Sequence, residues 1–234
     1  HFRVMRKIGE GGMGTVYQAR DIHLQRDVAL KVLAPGLIQS LESRKRFRRE
    51  ALAWSRLNHP AIATVYEFGA DDGVDFLAME LIQGNTLAGR LEKGPIPRIQ
   101  ALGIGLQIAE ALEFAHAECV THRDLKPGNV MVTASGLVKV LDFGLARAKA
   151  RASKTAEPKA RQPRRTSAGT LRDSEAMGTP GYMSPEQAMG KKQDHRTDIF
   201  AFGCVLFECL AGTFAFEGEA VEEILEAVLI KDPR

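Results

Sequence analysis

Cysteine is scarce: the chain has three, Cys119, Cys204 and Cys209, in 234 residues, and no two of them form a CxxC pair. An odd number so spaced fits a reducing compartment better than a disulfide framework, so the expected location is cytoplasmic. Excess charge is small as well, with 32 Lys and Arg against 29 Asp and Glu, a net of +3. Residues 147 to 176 alone carry nine basic and three acidic side chains, a net of +6, which leaves the remainder near −3. Basicity confined to one stretch is not a nucleic-acid footprint, and no nucleic-acid partner is expected. A signal peptide is missing too: the chain opens His1-Phe2-Arg3 with no initiator Met, as expected of a fragment or a trimmed chain, and the cytoplasmic part of a longer membrane-anchored protein is one reading left open. Long apolar runs are few. The stretch from Ile199 to Phe216 approaches the minimum span, yet Asp198 precedes it, Glu208 interrupts it and Gly203 and Gly212 loosen it. It reads as a buried core helix, and no membrane segment is expected within the chain.

What is present is enough apolar residue, 44% of the composition, for a substantial core. Phe2, Val4 and Ile8, then Val16 to Ala19, then Val28 to Leu33 read as strands joined by short turns. From Ser40 to Leu57 the period becomes helical, with Phe47, Glu50, Trp54 and Leu57 on one face, so that a carboxylate sits on the inward side. Asn58-His59-Pro60 ends that helix, and strands are expected at Ile62 to Phe68 and Asp75 to Ile82 before the break at Gly84-Asn85. A second helix is expected from Ile99 to His116, burying Leu102, Leu106, Ala109 and Leu112. Strands with one helix followed mostly by helices imply an α+β chain with a smaller sheet lobe and a larger helical lobe.

Three stretches carry chemistry. Gly9-Glu10-Gly11-Gly12-Met13-Gly14 matches GxGxxG but is followed by the strand-like Thr15 to Ala19, so it caps a hairpin and does not open a helix. Backbone amides free of Cβ atoms can approach phosphate there, although an ordinary glycine turn has the same pattern. Val28-Ala29-Leu30-Lys31 sets a lysine inside an apolar strand. Either it snorkels to solvent or it needs a buried anion, for which Glu50 is a candidate. His122-Arg123-Asp124-Leu125-Lys126-Pro127-Gly128-Asn129 places an acid, a base and an amide within six residues, and Asp142-Phe143-Gly144 follows a strand-like run from Leu137 to Leu141. Taken singly, Asp and Asn are common turn formers. Together, two carboxylates and a carboxamide on strand-flanked loops make a hard oxygen site suited to Mg²⁺ with a nucleotide.

With GEGGMGTVYQARD, FRREALAWSRLNHP, THRDLKPGN and GTPGYMSPEQA beside these, the sequence resembles a eukaryotic-type protein kinase of the bacterial Ser/Thr branch, over essentially residues 1 to 234. The resemblance implies a bilobal fold with a sheet lobe at 1 to 82, a larger and incomplete helical lobe at 83 to 234, and an activation segment at 142 to 186. It implies that Gly9, Gly11 and Gly14 cover the ATP phosphates and that Lys31, held by Glu50, contacts them. By the same resemblance Asn129 and Asp142 hold Mg²⁺ (or Mn²⁺), Asp124 receives or orients the substrate hydroxyl proton, and Lys126 neutralises the moving phosphoryl group. Ile8, Val16 and Ala29 would lie above the adenine and Met131 below it, with Met79 as gatekeeper and Glu80 and Ile82 supplying hinge backbone groups; for Val16, Ala29 and Met131 plain core packing is the competing account. Lys126 two residues beyond Asp124 resembles the Ser/Thr class. The implied partners are ATP, proteins offering Ser or Thr hydroxyls, and a second copy of the chain for autophosphorylation.

There are departures. Trp54 stands where the family usually has Leu, Ala215-Phe216 replaces Pro-Phe, and Ser184-Pro185-Glu186 replaces APE. The chain stops at Pro233-Arg234, so Glu186 is expected to be buried without its customary arginine. A pseudokinase or interaction module competes with an active enzyme, but Lys31, Glu50, Asp124, Lys126, Asn129 and Asp142 are all present; a small-molecule kinase would lack the GTPGYMSPEQA segment. The basic stretch lies inside the activation segment and carries six Ser or Thr between Ser153 and Ser174. Either it is a solvated insertion, or Thr166, Ser167, Thr170 and Ser174 are autophosphorylation sites whose phosphates pair with Arg123.

Overall fold

A computed structural model of the chain describes residues 1 to 35, 40 to 143 and 180 to 233. Gly144, Gly178, Thr179, the basic stretch and its Ser and Thr residues lie outside the described residues. Five antiparallel strands come first: β1 (Phe2–Gly11), β2 (Gly14–Asp21), β3 (Arg26–Leu33), β4 (Val65–Asp71) and β5 (Val74–Glu80), in the order β1-β2-β3-β5-β4. Both faces of this sheet are covered. Ala29, Leu33, Leu77 and Met79 belong to the large core shared with the helices, whereas Ala19, Val28, Leu30 and Ala78 form a small cluster on the other side with Phe2 and Phe76. The unbroken apolar run of β3 follows from this double burial.

Helix α1 (Leu41–Trp54) lies against β4. Ser40 starts it: its Oγ accepts from the Ser43 amide at 3.1 Å, while the Ser40 amide donates to the Ser43 hydroxyl at 2.9 Å. Phe47, Ala51 and Trp54 are buried, so the expected face holds, and the helix ends one turn earlier than the period suggests. Trp54 fits the core completely, and its indole N–H donates to the Ala63 carbonyl at 3.0 Å. The strand expected from Ile62 begins only at Val65. Residues 61 to 63 run instead beside a strand of the second sheet, with Ala63 N–H donating to Val140 O at 3.0 Å and Val140 N–H to Ala61 O at 2.8 Å.

The second half contains β6 (Gly84–Thr86), α2 (Leu87–Leu91), α3 (Arg98–Ala117), a 3-10 turn at Pro127–Asn129, β7 (Val130–Thr133) and β8 (Val138–Val140). After a second 3-10 turn at Pro180–Tyr182 come α4 (Pro185–Ala188), α5 (Arg196–Ala211) and α6 (Val221–Ile230). The α+β expectation is met: a sheet with one main helix, then mostly helices around the small antiparallel sheet β6-β7-β8. Helix α5 is the core helix foreseen at 199 to 216, closed by Gly212 at φ 73° with its amide on Glu208 O at 2.8 Å. Among the described residues no helix is long and apolar enough to cross a membrane.

The expected face of α3 is corrected. Leu102 and Leu106 are 50% and 61% exposed, and the buried side is Ala101, Ile104, Gly105, Ile108, Ala111, Leu112 and Ala115. Polar Gln100, Gln107, Glu110 and Glu113 mark the outer side, but the apolar band is wider than the buried face, so periodicity does not set its edge. Close approach to α5 does: a Cβ on Gly105 would stand 3.1 Å from Leu206 Cδ1.

The glycine hairpin has one position that tolerates no side chain. Gly14 has φ 139°, and a Cβ there would lie 2.0 Å from the Val32 carbonyl oxygen of β3. Gly14→Ala is expected to lower the urea midpoint of unfolding by an amount equivalent to about 2 kcal/mol or more, and an unchanged midpoint would show that the turn rearranges freely.

Candidate active site

The face of the large sheet that turns toward the helical half carries the predicted roof. Antiparallel partners share a face, and the register sets Gly9 opposite Val16, Val16 opposite Lys31 and Ala29 opposite Met79. Val16, Ala29, Lys31 and Met79 therefore line one surface, with Gly9 at its rim. Ile8, one residue away on the edge strand, is 40% exposed. Met13 folds under the glycine turn: its carbonyl accepts from Ala34 N–H at 3.0 Å, and its sulfur lies 3.9 Å from Lys31 Nζ. Lys31 is 6% exposed, and its ammonium meets the Asp142 carboxylate at 2.6 Å. It is thus the buried, paired lysine and not the snorkelling one. Glu50 lies half-buried on α1; the pair described for Lys31 is the one with Asp142, and the pairing with Glu50 stays an expectation.

Below this face, the loop of residues 122 to 126 is held by Asp198, which is 0% exposed on α5. Its Oδ2 accepts from the His122 amide and from His116 Nε2, each at 2.7 Å, and its Oδ1 accepts from the Arg123 amide at 2.7 Å. Burial alone would raise the Asp198 pKa. The His116 hydrogen bond and the two backbone amides, with the His122 ring beside them, outweigh it and hold the carboxyl below the usual range. The acid that precedes the apolar run of α5 thus ties this helix to the loop of residues 122 to 126.

His122 carries the connection onward. Its Nδ1 accepts from the Asp124 amide at 3.2 Å and its Nε2 meets the Leu141 carbonyl at 2.8 Å, which assigns the proton to Nε2. Its ring packs 4.7 Å from that of the fully buried Phe143. The residues on either side of this link, Arg123 and Asp142, have φ of 68° and 60°, left-handed backbone that non-glycine residues adopt only when their surroundings impose it.

Asn129 donates through Nδ2 to the Asp124 carbonyl at 2.7 Å and to Asp124 Oδ2 at 3.3 Å, and Lys126 Nζ stands 3.5 Å from the same Oδ2. With its nitrogen committed to Asp124, the Asn129 amide keeps Oδ1 as an acceptor. Leu141 N–H donates to Asn129 O at 2.8 Å, which brings the strand end carrying Asp142 to the same loop. Asp142 carboxylate and Asn129 Oδ1 are hard oxygen donors and fit Mg²⁺ or Mn²⁺. The hinge positions lie where β5 ends: Glu80, Leu81 and Ile82 are half-buried, and Met131 on β7 is half-buried too.

A protein kinase domain model matches residues 2 to 232 of the chain. The chain belongs to the protein kinase family. It is 40% identical over 233 residues to the serine/threonine-protein kinase PknD of Mycobacterium tuberculosis, covering 99% of this chain and 32% of that protein. It is 41% identical over 238 residues to the serine/threonine-protein kinase pkn3 of Myxococcus xanthus, covering 99% of this chain and 41% of the relative. PrkC of Bacillus subtilis, also a serine/threonine-protein kinase, is 38% identical over 224 residues, 95% of this chain and 32% of that protein. The chain thus spans about a third of the length of the first of these curated relatives.

Several contacts of this kinase domain were not foreseen. His116 was taken only as a helix end, yet it is a ligand of Asp198. Gln187 Nε2 donates to the Arg123 carbonyl at 2.8 Å, joining the SPEQ turn to the catalytic loop. Glu186, expected to be buried and unpaired, is half-buried and accepts from Thr197 Oγ1 at 2.6 Å. No signal in the sequence marks these, since each depends on residues far apart in the chain. Lys139, by contrast, sits in an apolar strand just as Lys31 does, and the same reasoning would have singled it out.

A carboxyl whose pKa is depressed by folding adds stability that is present above its unfolded value of about 3.9 and is lost as pH falls through the folded value. Asp198→Ala also leaves two amides unmatched, so it should cost about 3 kcal/mol at neutral pH. That deficit should shrink below about pH 4 in urea titrations. A deficit independent of pH would show that the carboxylate charge is not what holds the loop.

Proposed function

We propose that this kinase domain is catalytically active and transfers the γ-phosphate of ATP to Ser or Thr hydroxyls of proteins. The observation that supports the reading is the convergence of five separated side chains, Lys31, Asp124, Lys126, Asn129 and Asp142, linked by Asn129 to Asp124, Lys126 to Asp124 and Lys31 to Asp142. In this reading residues 1 to 82 form the smaller lobe, 83 to 234 the larger one, and 142 to 186 the activation segment. The adenine lies between Val16 and Ala29 above and Met131 below, with Ile8 at the rim, Met79 behind, and the Glu80 carbonyl and Ile82 amide along its edge. Gly9, Gly11 and Gly14 keep the hairpin backbone close to the phosphates, and Lys31, oriented by Glu50, neutralises them.

Asp124 takes the proton of the substrate hydroxyl as its oxygen attacks the γ-phosphorus. The bond from that phosphorus to the bridging oxygen breaks, and ADP leaves with the electron pair. Lys126, beside Asp124, meets the charge on the transferring group, so that positioning and fixed charge supply most of the acceleration. Mg²⁺ or Mn²⁺, held by Asp142 and Asn129 Oδ1, would supply charge neutralisation at the phosphate oxygens. Thr166, Ser167, Thr170 and Ser174 are the proposed autophosphorylation sites, each phosphate adding about −1.5 to −2 charges that Arg123 can receive.

The test is phosphate transfer from Mg²⁺-ATP to an added protein substrate. Lys31→Ala should abolish transfer at a temperature where circular dichroism shows it folded, and should lower the melting temperature because it leaves the Asp142 carboxylate without its ammonium. Asp124→Ala should lower kcat by about 10²-fold or more. Turnover near the parental rate in either variant would overturn its role. Asp142→Asn should require more Mg²⁺ for half-maximal activity, and an unchanged Mg²⁺ titration would remove Asp142 from the metal site. Mass spectrometry after incubation with Mg²⁺-ATP should find phosphate on at least one of the four segment residues, and the variant with Ala at all four should phosphorylate added substrate more slowly. If it is as fast as the parent, the stretch is an insertion without a regulatory role.

A further inference from the structure

Glu80 is the last residue of β5, and only residues 81 to 83 separate it from β6, so the chain crosses between the two sheets at this point. Lys139 lies in the middle of β8 in the other sheet. Its neighbours Val138 and Val140 are buried, so its side chain leaves the strand on the opposite face, the one it shares with its cross-strand partner Met131. From there Lys139 Nζ reaches Glu80 Oε2 at 2.9 Å and the Ile62 carbonyl at 3.4 Å. The same Glu80 oxygen accepts the Thr64 amide at 3.2 Å, and the Glu80 amide donates to Thr64 O at 2.9 Å. Three segments therefore converge on one carboxylate: the strand leading to Asp142, the turn after α1, and the end of β5.

The covalent crossing at 81 to 83, the backbone bonds between residues 61 to 63 and β8, the Lys31–Asp142 pair and this ion pair are separate links between the sheets. The crossing is the hinge, and each further link adds restraint to its swing. The side chains are 18% and 26% exposed, so the pair is screened less than a surface one. It is not what holds the fold there, because β8 is fastened to residues 61 to 63 through backbone hydrogen bonds that any side chain at position 139 permits. Nor would its removal strand a carboxylate, since Glu80 keeps the Thr64 amide.

We infer that Lys139, through its ion pair with Glu80, is a positioning residue that restrains opening of the nucleotide cleft and so slows the departure of ADP. The inference rests on the proposed nucleotide site between the two sheets, which has to open for product to leave.

Release of a fluorescent ADP analogue from the purified chain, followed by stopped flow, tests it. Lys139→Met should release the analogue about three- to fivefold faster than the parent, the effect of losing one partly screened pair. Lys139→Arg should stay near the parental rate. Glu80→Gln should match Lys139→Met, and combining the two should add nothing further, as for two halves of one interaction. In steady state Lys139→Met should raise KM for ATP without lowering kcat, a split that general loosening of the fold would not produce. Should Lys139→Met fold poorly, Lys139→Gln carries the same expectation. Release at the parental rate, or additive effects of the two substitutions, would overturn the clasp while leaving the kinase reading intact. A parent chain that binds no ADP would overturn the nucleotide reading, and the clasp with it.

Discussion

A carboxylate withdrawn completely from water has to be matched on every side, and Asp198 is matched by backbone amides of the loop that matters. Its two oxygens accept from His122, Arg123 and His116, so helix α5 fixes the start of the catalytic loop, and helix α3 joins through His116. An unmatched buried charge is so costly that alternative loop conformations are strongly disfavoured. That pressure explains how Arg123 is kept in left-handed backbone without glycine. From there His122, with both ring nitrogens committed, passes the constraint to Leu141 and hence to Asp142, whose own backbone is left-handed. Asp124 and Asp142, eighteen residues apart, are thereby set relative to one another by a chain of hydrogen bonds that begins in the helical core.

Much of this was legible in the sequence because it is local. The GxGxxG turn followed by a strand, the lysine in β3, and the compact run from His122 to Asn129 each occupy a few consecutive residues; spacing placed them on turns and strands, and the resemblance to the kinase family implied which groups come together. The helix was equally plain from Ser40 to Leu57 through Phe47, Glu50, Trp54 and Leu57, although it ends at Trp54. The illegible parts are those decided by packing. The edge of the buried face of α3 is set by close packing at Gly105 against α5, and an apolar band wider than that face does not show where the edge falls. The segment from Ile62 looked like a strand because it is apolar and β-branched. It is extended, but its partner is Val140, some eighty residues later, so the regular ladder starts only at Val65. Glu186 finds Thr197 for the same reason: a partner eleven residues away across a turn has no local mark.

The charges of the site are already paired with one another. Lys31 meets Asp142 at 2.6 Å and Lys126 lies 3.5 Å from Asp124. Each pair joins a group proposed to receive phosphate with one proposed to receive a cation or a proton. Exchange of partners on binding is then nearly balanced: phosphate takes the ammonium while the cation takes the carboxylate, and neither charge is left bare at any stage. On the proposed reading phosphate and metal are mutually dependent, because either one arriving alone would strand the partner's charge. A site so paired would favour the metal-bound nucleotide over its separate components, by the pairing geometry more than by any single contact with the adenine.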